Sequence, residues 1–176
     1  MSIRRVILFL AAGIIAASPV FGGDDAVTTL QADLGEVVKL GKVVPVEGLT
    51  TAGQPDAAAF RVFADNGYAV VIDLRTEAEN RGLDEPAFVE DLGMKYISMP
   101  IGGGDITFDK ARELDELLDS YDQPVLLHCA SSNRVGALLA LNVFAETGDA
   151  ELALETGRAA GMKSLEKVVR ELIEAQ

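Results

Sequence analysis

The sequence predicts an α/β domain with a mainly parallel central sheet flanked by helices. Two runs carry much of that expectation: Ala69-Val70-Val71-Ile72-Asp73-Leu74 and Pro124-Val125-Leu126-Leu127-His128 are short, nearly continuous apolar stretches bounded by turn residues. That is the pattern of strands buried on both faces. Segments with helical periodicity stand between the strand-like runs, and such alternation gives parallel pairing through crossovers. The chain has 176 residues and is 49% apolar, enough for one core but not comfortably for two.

Taken in order, Met1–Arg5 holds two Arg, Val6–Ala17 is uninterrupted apolar sequence, and Ser18–Gly22 ends in small residues. This is the layout of a secretory signal peptide, with cleavage after Gly22. The apolar run falls short of the roughly 20 residues that span a bilayer, and no Cys follows it for lipid attachment. The expectation is an exported chain, periplasmic or secreted, with no stable membrane span after cleavage. Residues 23–42 are weakly patterned and read as a loosely structured lead-in; residues 43–176 are expected to form the folded domain.

Within that domain Val43–Val46 reads as a short strand and Gly48–Pro55 as a turn-rich loop. Pro55 opens a helix running to about Asn66, with Gly67 past its end. After the Ala69–Leu74 strand, a helix is expected over Glu85–Asp91, stopping at Gly93. A strand over Lys95–Met99 ends at Pro100, and Gly102-Gly103-Gly104 makes a flexible connection. From Phe108 to Tyr121, Ala111, Leu114, Leu117 and Leu118 recur three or four apart, a single helical face. After the Pro124–His128 strand come helices over Val135–Thr147, Ala150–Ala160 and Leu165–Ala175, with Ser164 a suitable N-cap for the last.

The charge balance limits the partners. Fifteen basic and 28 acidic residues give −13; loss of Met1–Gly22, with its two Arg and no acid, would take this to −15. Such a surface repels phosphate backbones, so nucleic acid is excluded as a partner. A small anionic substrate would need a strong local positive site. One Cys and one His cannot make an internal disulfide or an ordinary zinc site. No cofactor is implied.

The chemistry concentrates at Val125-Leu126-Leu127-His128-Cys129-Ala130-Ser131-Ser132-Asn133-Arg134-Val135-Gly136, which runs strand, loop, helix. Ligands of open parallel sheets bind beyond the carboxyl ends of strands. Small residues Ala130, Ser131 and Ser132 let backbone N–H groups curl around an anion, and the helix starting near Arg134 adds its positive end. That field and a fixed guanidinium favour the Cys129 thiolate, the reactive form. Arg134 offers planar bidentate donors to a tetrahedral oxyanion. A buried cysteine at a strand end is the plain alternative. Arg75 and Arg81 could widen the positive pocket, but read better as ion-paired surface residues.

His-Cys followed closely by Arg, after a hydrophobic strand, resembles the signature of the cysteine-dependent protein phosphatases, the small dual-specificity type above all. The order Val71-Ile72-Asp73-Leu74-Arg75, then Tyr96-Ile97-Ser98-Met99-Pro100-Ile101, then helix and signature strand is also similar. With Gly53-Gln54-Pro55, the pattern resembles more narrowly the phosphatase-like domains found beside bacterial beta-lactamase-like hydrolases, over residues 43 to 147. The resemblance implies a dual-specificity-phosphatase-like fold and a small phosphorylated substrate or phosphoprotein. It implies that Cys129 attacks phosphorus and that Arg134 binds the phosphoryl oxygens with the backbone of Ala130, Ser131, Ser132 and Asn133. It further implies that His128 positions the nucleophile, and that an Asp on the loop after Lys95–Met99 is the general acid: Asp105, or in reserve Asp109.

Two departures stand out. Only four residues separate Cys129 from Arg134, where the phosphatase signature has five, and Val135 replaces its Ser or Thr. Four is the spacing typical of rhodanese-type sulfurtransferases, whose Cys carries a persulfide, so a sulfur-containing substrate stays open, as does a non-catalytic anion-binding domain. The loop also lacks the family's Gly; a positive φ at Ser131 or Ser132 would cost about 1 kcal/mol.

Overall fold

A computed structural model describes residues 30–43 and 49–176 of the chain. The expected signal segment Met1–Gly22, the first part of the lead-in and most of the expected Val43–Val46 strand lie outside the described residues.

Strand β4 (Val125–His128) lies inside the sheet because all four of its residues are buried, as its apolar run requires. Strand β1 (Leu49–Ala52) pairs on one side of it, β2 (Val70–Asp73) on the other, and β3 (Lys95–Ser98) is the far edge. All pairings are parallel. Register places both Ala52 and Asp73 opposite His128, so the strands finish level and their following loops meet at one edge.

The helices cover both faces, as a wholly parallel sheet needs. Against one face lie α1 (Leu34–Leu40), α2 (Ala57–Asp65) and α3 (Glu85–Asp91), with Phe60, Phe63 and Val89 closing on Val71 and Leu126. The other face carries α4 (Phe108–Asp119), α5 (Asn133–Thr147), α6 (Ala150–Ala159) and α7 (Glu166–Glu174) over Ile72, Val125 and Leu127. The backbones of α5 and α6 touch: a Cβ at Gly136 would stand 2.4 Å from the Gly157 carbonyl oxygen.

Three expectations are corrected. The first strand runs through Leu49-Thr50-Thr51-Ala52, read from sequence as loop. Its two Thr are wholly buried because their hydroxyls find partners, Thr50 with the Tyr68 hydroxyl and Thr51 donating to the Ala160 carbonyl at 3.1 Å. Residues 30–42 of the lead-in pack beside the sheet and include α1. Gln31 bridges to Thr51 beside the sheet edge, and Asp33 caps α1 by accepting from the Glu36 N–H at 3.1 Å. Ser164 does not cap α7: Leu165 is at the cap position without a side-chain bond, and the Ser164 hydroxyl instead accepts from Asn133.

Candidate active site

The loop Cys129–Arg134 leaves the carboxyl end of β4 and returns as α5. Its first residue continues the sheet, the Cys129 N–H donating to the Ala52 carbonyl at 3.4 Å. The Gln54 N–H donates to the Ala130 carbonyl at 3.2 Å, which turns that carbonyl toward the loop after β1. Ala130 and Ser131 are exposed, whereas Cys129 is only 1% exposed and belongs to the hydrophobic core cluster, its sulfur hydrogen-bonded by Arg134.

Ser132 makes the tight turn. Its φ is 64°, the single non-glycine residue with positive φ among those described. That conformation was the cost anticipated for a loop without Gly, and it is offset by the buried Ser132 hydroxyl donating to the Ala160 carbonyl at 2.7 Å. Because this hydroxyl bonds away from the helix, no side chain caps α5. The first-turn N–H groups of Asn133, Arg134 and Val135 have no carbonyl of their own helix to meet, and the positive end of α5 belongs to the loop.

Arg134 is held on three sides. One Nη1 proton meets Glu79 Oε1 at 2.7 Å and the other meets the Ile101 carbonyl at 2.9 Å, with the Leu74 carbonyl a longer 3.5 Å away. Nη2 donates to Glu79 Oε2 at 2.6 Å. A guanidinium has five N–H donors; Nε–H and the second Nη2–H, side by side on one edge, are left for the hydrogen bond to the Cys129 sulfur and for the oxygens of an oxyanion. The bonds to Glu79, opposed by burial and reinforced by the charge of nearby Cys129, hold Arg134 above its ordinary pKa. Those same bonds bring Glu79 down to about 2, against burial and with help from Thr76. Sequence reasoning missed Glu79, which lies 55 residues from Arg134; its one signal is an acid on the loop after β2, at the same sheet edge.

His128, the residue before the nucleophile, is fully buried, with Nε2 2.9 Å from Glu85 Oε1 and the ring edge-on to Phe60. It is neither a backbone-satisfied imidazole nor close to the loop's open side. Glu85 belongs to a buried ionic cluster. Arg75 donates from Nε and Nη2 to the two Asp73 oxygens at 2.9 and 2.8 Å, and from Nη2 to Glu85 Oε2. The Tyr96 hydroxyl donates to Asp73 Oδ2 at 2.9 Å, and Arg81 Nε stands 3.3 Å from the same oxygen. Burial alone would push Asp73 up, but the Arg75 bonds, His128 and Tyr96 hold its carboxyl below the usual range. Burial and Asp73 push the Tyr96 hydroxyl up. Arg75 is therefore no surface residue: it is 0% exposed, tolerated there because two carboxylates match it.

Asp73, Glu85 and His128 approach closely enough to share a metal ion. The Arg75 guanidinium already bonds both carboxylates, however, and a cation beside it would be repelled.

Asp105 is exposed on the loop after β3, and its Oδ2 accepts from the Gly102 N–H at 2.8 Å. That loop is tied to the site through the Ile101 carbonyl on Arg134. Asp109 is in the first turn of α4, pairs with Arg112 at 2.8 Å, and is 84% exposed. Of the loop residues, Asn133 faces away from the anion side and bonds the segment before α7.

A family model described as the phosphatase-like domain of beta-lactamase hydrolase-like protein matches residues 43–145. The beta-lactamase hydrolase-like protein of Xylella fastidiosa (strain Temecula1) is 33% identical over 106 residues, 57% of this chain and 25% of that protein. The Agrobacterium fabrum protein of the same description is 30% identical over 99 residues, 54% and 23%. The match thus covers about a quarter of these relatives' length. Among solved structures, a candidate phosphatase from Neisseria meningitidis superposes with TM-score 0.64 at 23% identity, over 74% of this chain and 95% of its own. A Cys-to-Ser form of P. aeruginosa TpbA in complex with phosphotyrosine gives TM-score 0.55 at 17% identity, over 69% and 75%. These likenesses show the fold.

Proposed function

The chain belongs to the family of phosphatase-like domains of beta-lactamase hydrolase-like proteins, and from that premise we propose that it is a cysteine-dependent phosphatase hydrolysing phosphotyrosine-like or small phosphomonoesters through a phosphocysteine. The observation that carries the reading is the Nε–Nη2 edge of Arg134, hydrogen-bonded to the Cys129 sulfur and held by Glu79 and Ile101 at the start of an uncapped helix. Guanidinium edge and amide ring supply fixed positive dipoles where phosphoryl charge develops, with no reorganisation needed.

In the first step Cys129 Sγ forms a bond to phosphorus as the P–O bond to the leaving group breaks. Asp105 gives its proton to that leaving oxygen. In the second step Asp105, now a carboxylate, takes a proton from water; the water oxygen bonds phosphorus, the S–P bond breaks, and inorganic phosphate leaves with the thiolate restored. Export of the chain, proposed from the layout of Met1–Gly22, would place this chemistry in the periplasm or outside the cell.

The four-residue spacing favours one second reading, a Cys129 persulfide transferred as in rhodanese-type enzymes. One paired assay separates the two, using an aryl phosphate in one arm and thiosulfate with cyanide in the other. Phosphate release abolished in Cys129→Ser and slowed at least tenfold in Asp105→Asn is the expected result. Thiocyanate formation that needs Cys129 and ignores Asp105 would replace the phosphatase with the sulfurtransferase.

A further inference from the structure

The charges around the loop are nearly all matched. Arg134 is paired with Glu79, Arg75 with Asp73 and Glu85, and Arg81 stands against Asp73. In a chain with 28 acidic and 15 basic residues, this leaves little field to draw in a substrate that is itself negative. Elsewhere Lys39, Lys110, Arg112, Arg158, Lys167 and Arg170 each have a carboxylate within 4 Å; Arg61 lies over the Phe88 ring, and Lys42 and Lys95 stand at the amino ends of the strands, away from the loop. Among the described residues no carboxylate pairs with Lys163, which is exposed.

Lys163 is not free to wander from the site. Asn133, the residue before Arg134, clamps three successive residues to the start of α5. Its Oδ1 accepts from the Lys163 N–H at 2.7 Å and the Leu165 N–H at 3.3 Å, and its Nδ2 donates to the Ser164 hydroxyl at 2.8 Å. The backbone of Lys163 is therefore fixed one side-chain width from the anion-binding turn, and its flexible four-carbon stem can swing a compact ammonium across that gap. The Asn133 side chain, pointing away from the anion, acts as a bracket that sets a second cation beside the first.

We propose that Lys163 is a specificity-determining residue that selects phosphomonoesters bearing a second acidic group next to the phosphoryl. This rests on the reading of the Cys129–Arg134 loop as an oxyanion site. In a chain this acidic, the second acid is placed within reach of this ammonium.

The test uses the whole chain and two phosphotyrosine peptides of equal length, one with Glu and one with Gln flanking the phosphotyrosine. Their leaving groups are the same, so only flanking charge differs. At low ionic strength kcat/KM should favour the Glu peptide about fivefold. Lys163→Gln should bring the ratio to one or below, Lys163→Arg should keep it, and added salt should erode it. A ratio unchanged in Lys163→Gln, or a wild-type preference for the Gln peptide, overturns the inference. If neither peptide is hydrolysed, the phosphatase reading fails separately. Equilibrium binding to Cys129→Ser with and without Lys163→Gln then decides: preference for the Glu peptide that disappears with Lys163 sustains the inference, and no preference ends it.

Discussion

Glu79→Gln removes one charge and one acceptor from the bracket that holds Arg134. Glu79 is brought from an ordinary 4.5 to about 2 by its Arg134 bonds, and at about 1.4 kcal/mol per pKa unit this amounts to roughly 3 kcal/mol. The carboxylate is 30% exposed and Arg134 17%, so solvent screening reduces the expected loss of stability to about 1–2 kcal/mol at pH 7. The pH dependence follows from the direction. A carboxyl with a depressed folded-state pKa gives stability that is present above 4.5 and lost as pH falls toward 2. The difference between wild type and Glu79→Gln should therefore hold from pH 7 to about 5, shrink below 4.5, and vanish near 2. Urea unfolding at a series of pH values measures it. In activity, the amide still holds one Nη1 proton but leaves Nη2 without its acceptor, so the edge aimed at the phosphoryl tilts. Meanwhile Arg134, its counter-charge gone, attracts anions more strongly. The expected result is kcat about tenfold lower with KM unchanged or lower, and tighter inhibition by inorganic phosphate. Equal stability at pH 7 together with unchanged kcat would refute the assignment of Glu79 as the residue that orients Arg134.

Three further perturbations test the same architecture. Ser132→Ala keeps the φ of 64° and loses the 2.7 Å bond to Ala160, so it should cost about 1 kcal/mol in urea unfolding. Ser132→Gly loses the same bond but relieves about 1 kcal/mol of backbone strain, and the Ala160 carbonyl keeps Thr51 as a donor; it should lie within about 0.5 kcal/mol of wild type, and parity of the two variants would contradict the strain argument. Arg75→Leu removes the cation that bridges Asp73 and Glu85 and leaves only Arg81 beside Asp73, which should destabilise by about 3–5 kcal/mol, read as a fall in the denaturation midpoint. With Arg75 gone Asp73 loses bonds that hold its carboxyl below the usual range and should bind a proton more readily, so the defect of Arg75→Leu should narrow as pH is lowered below 5.

The sheet was largely legible in the sequence because β2 and β4 are buried on both faces, which leaves unbroken apolar runs that no exposed element would carry. Strand β1 was not. Leu49-Thr50-Thr51-Ala52 lies between Gly48 and Gly53, and its polar residues look like turn chemistry until Tyr68 and Ala160 are seen to satisfy the two hydroxyls. In the site, Cys129 and Arg134 were legible because their relation is local, six consecutive residues between strand and helix. What lay outside that window was hidden. Glu79 and the Ile101 carbonyl reach Arg134 only through the level ending of the strands. Arg75 was misjudged because an Arg almost never lies wholly inside a protein; the clue was Asp73 two residues earlier in an otherwise apolar run.

The short loop raises a question that the Arg134 geometry helps to answer. Four residues rather than five offer fewer inward amides, and amides alone suffice for the single negative sulfur of a persulfide. A phosphoryl group in transfer spreads its charge over three oxygens and requires more. On the phosphatase reading the guanidinium makes up this deficit. Glu79 and Ile101 consume three of its protons on the far sides and leave two adjacent ones on the edge that meets the Cys129 sulfur, a good match to a pair of oxygens. Pairing Arg134 with a carboxylate weakens its long-range pull while fixing its short-range geometry. In a chain this acidic, that trade makes recognition depend on contact at the loop instead of on attraction from a distance, so the phosphatase reading predicts a substrate that binds weakly but is held in alignment once it arrives.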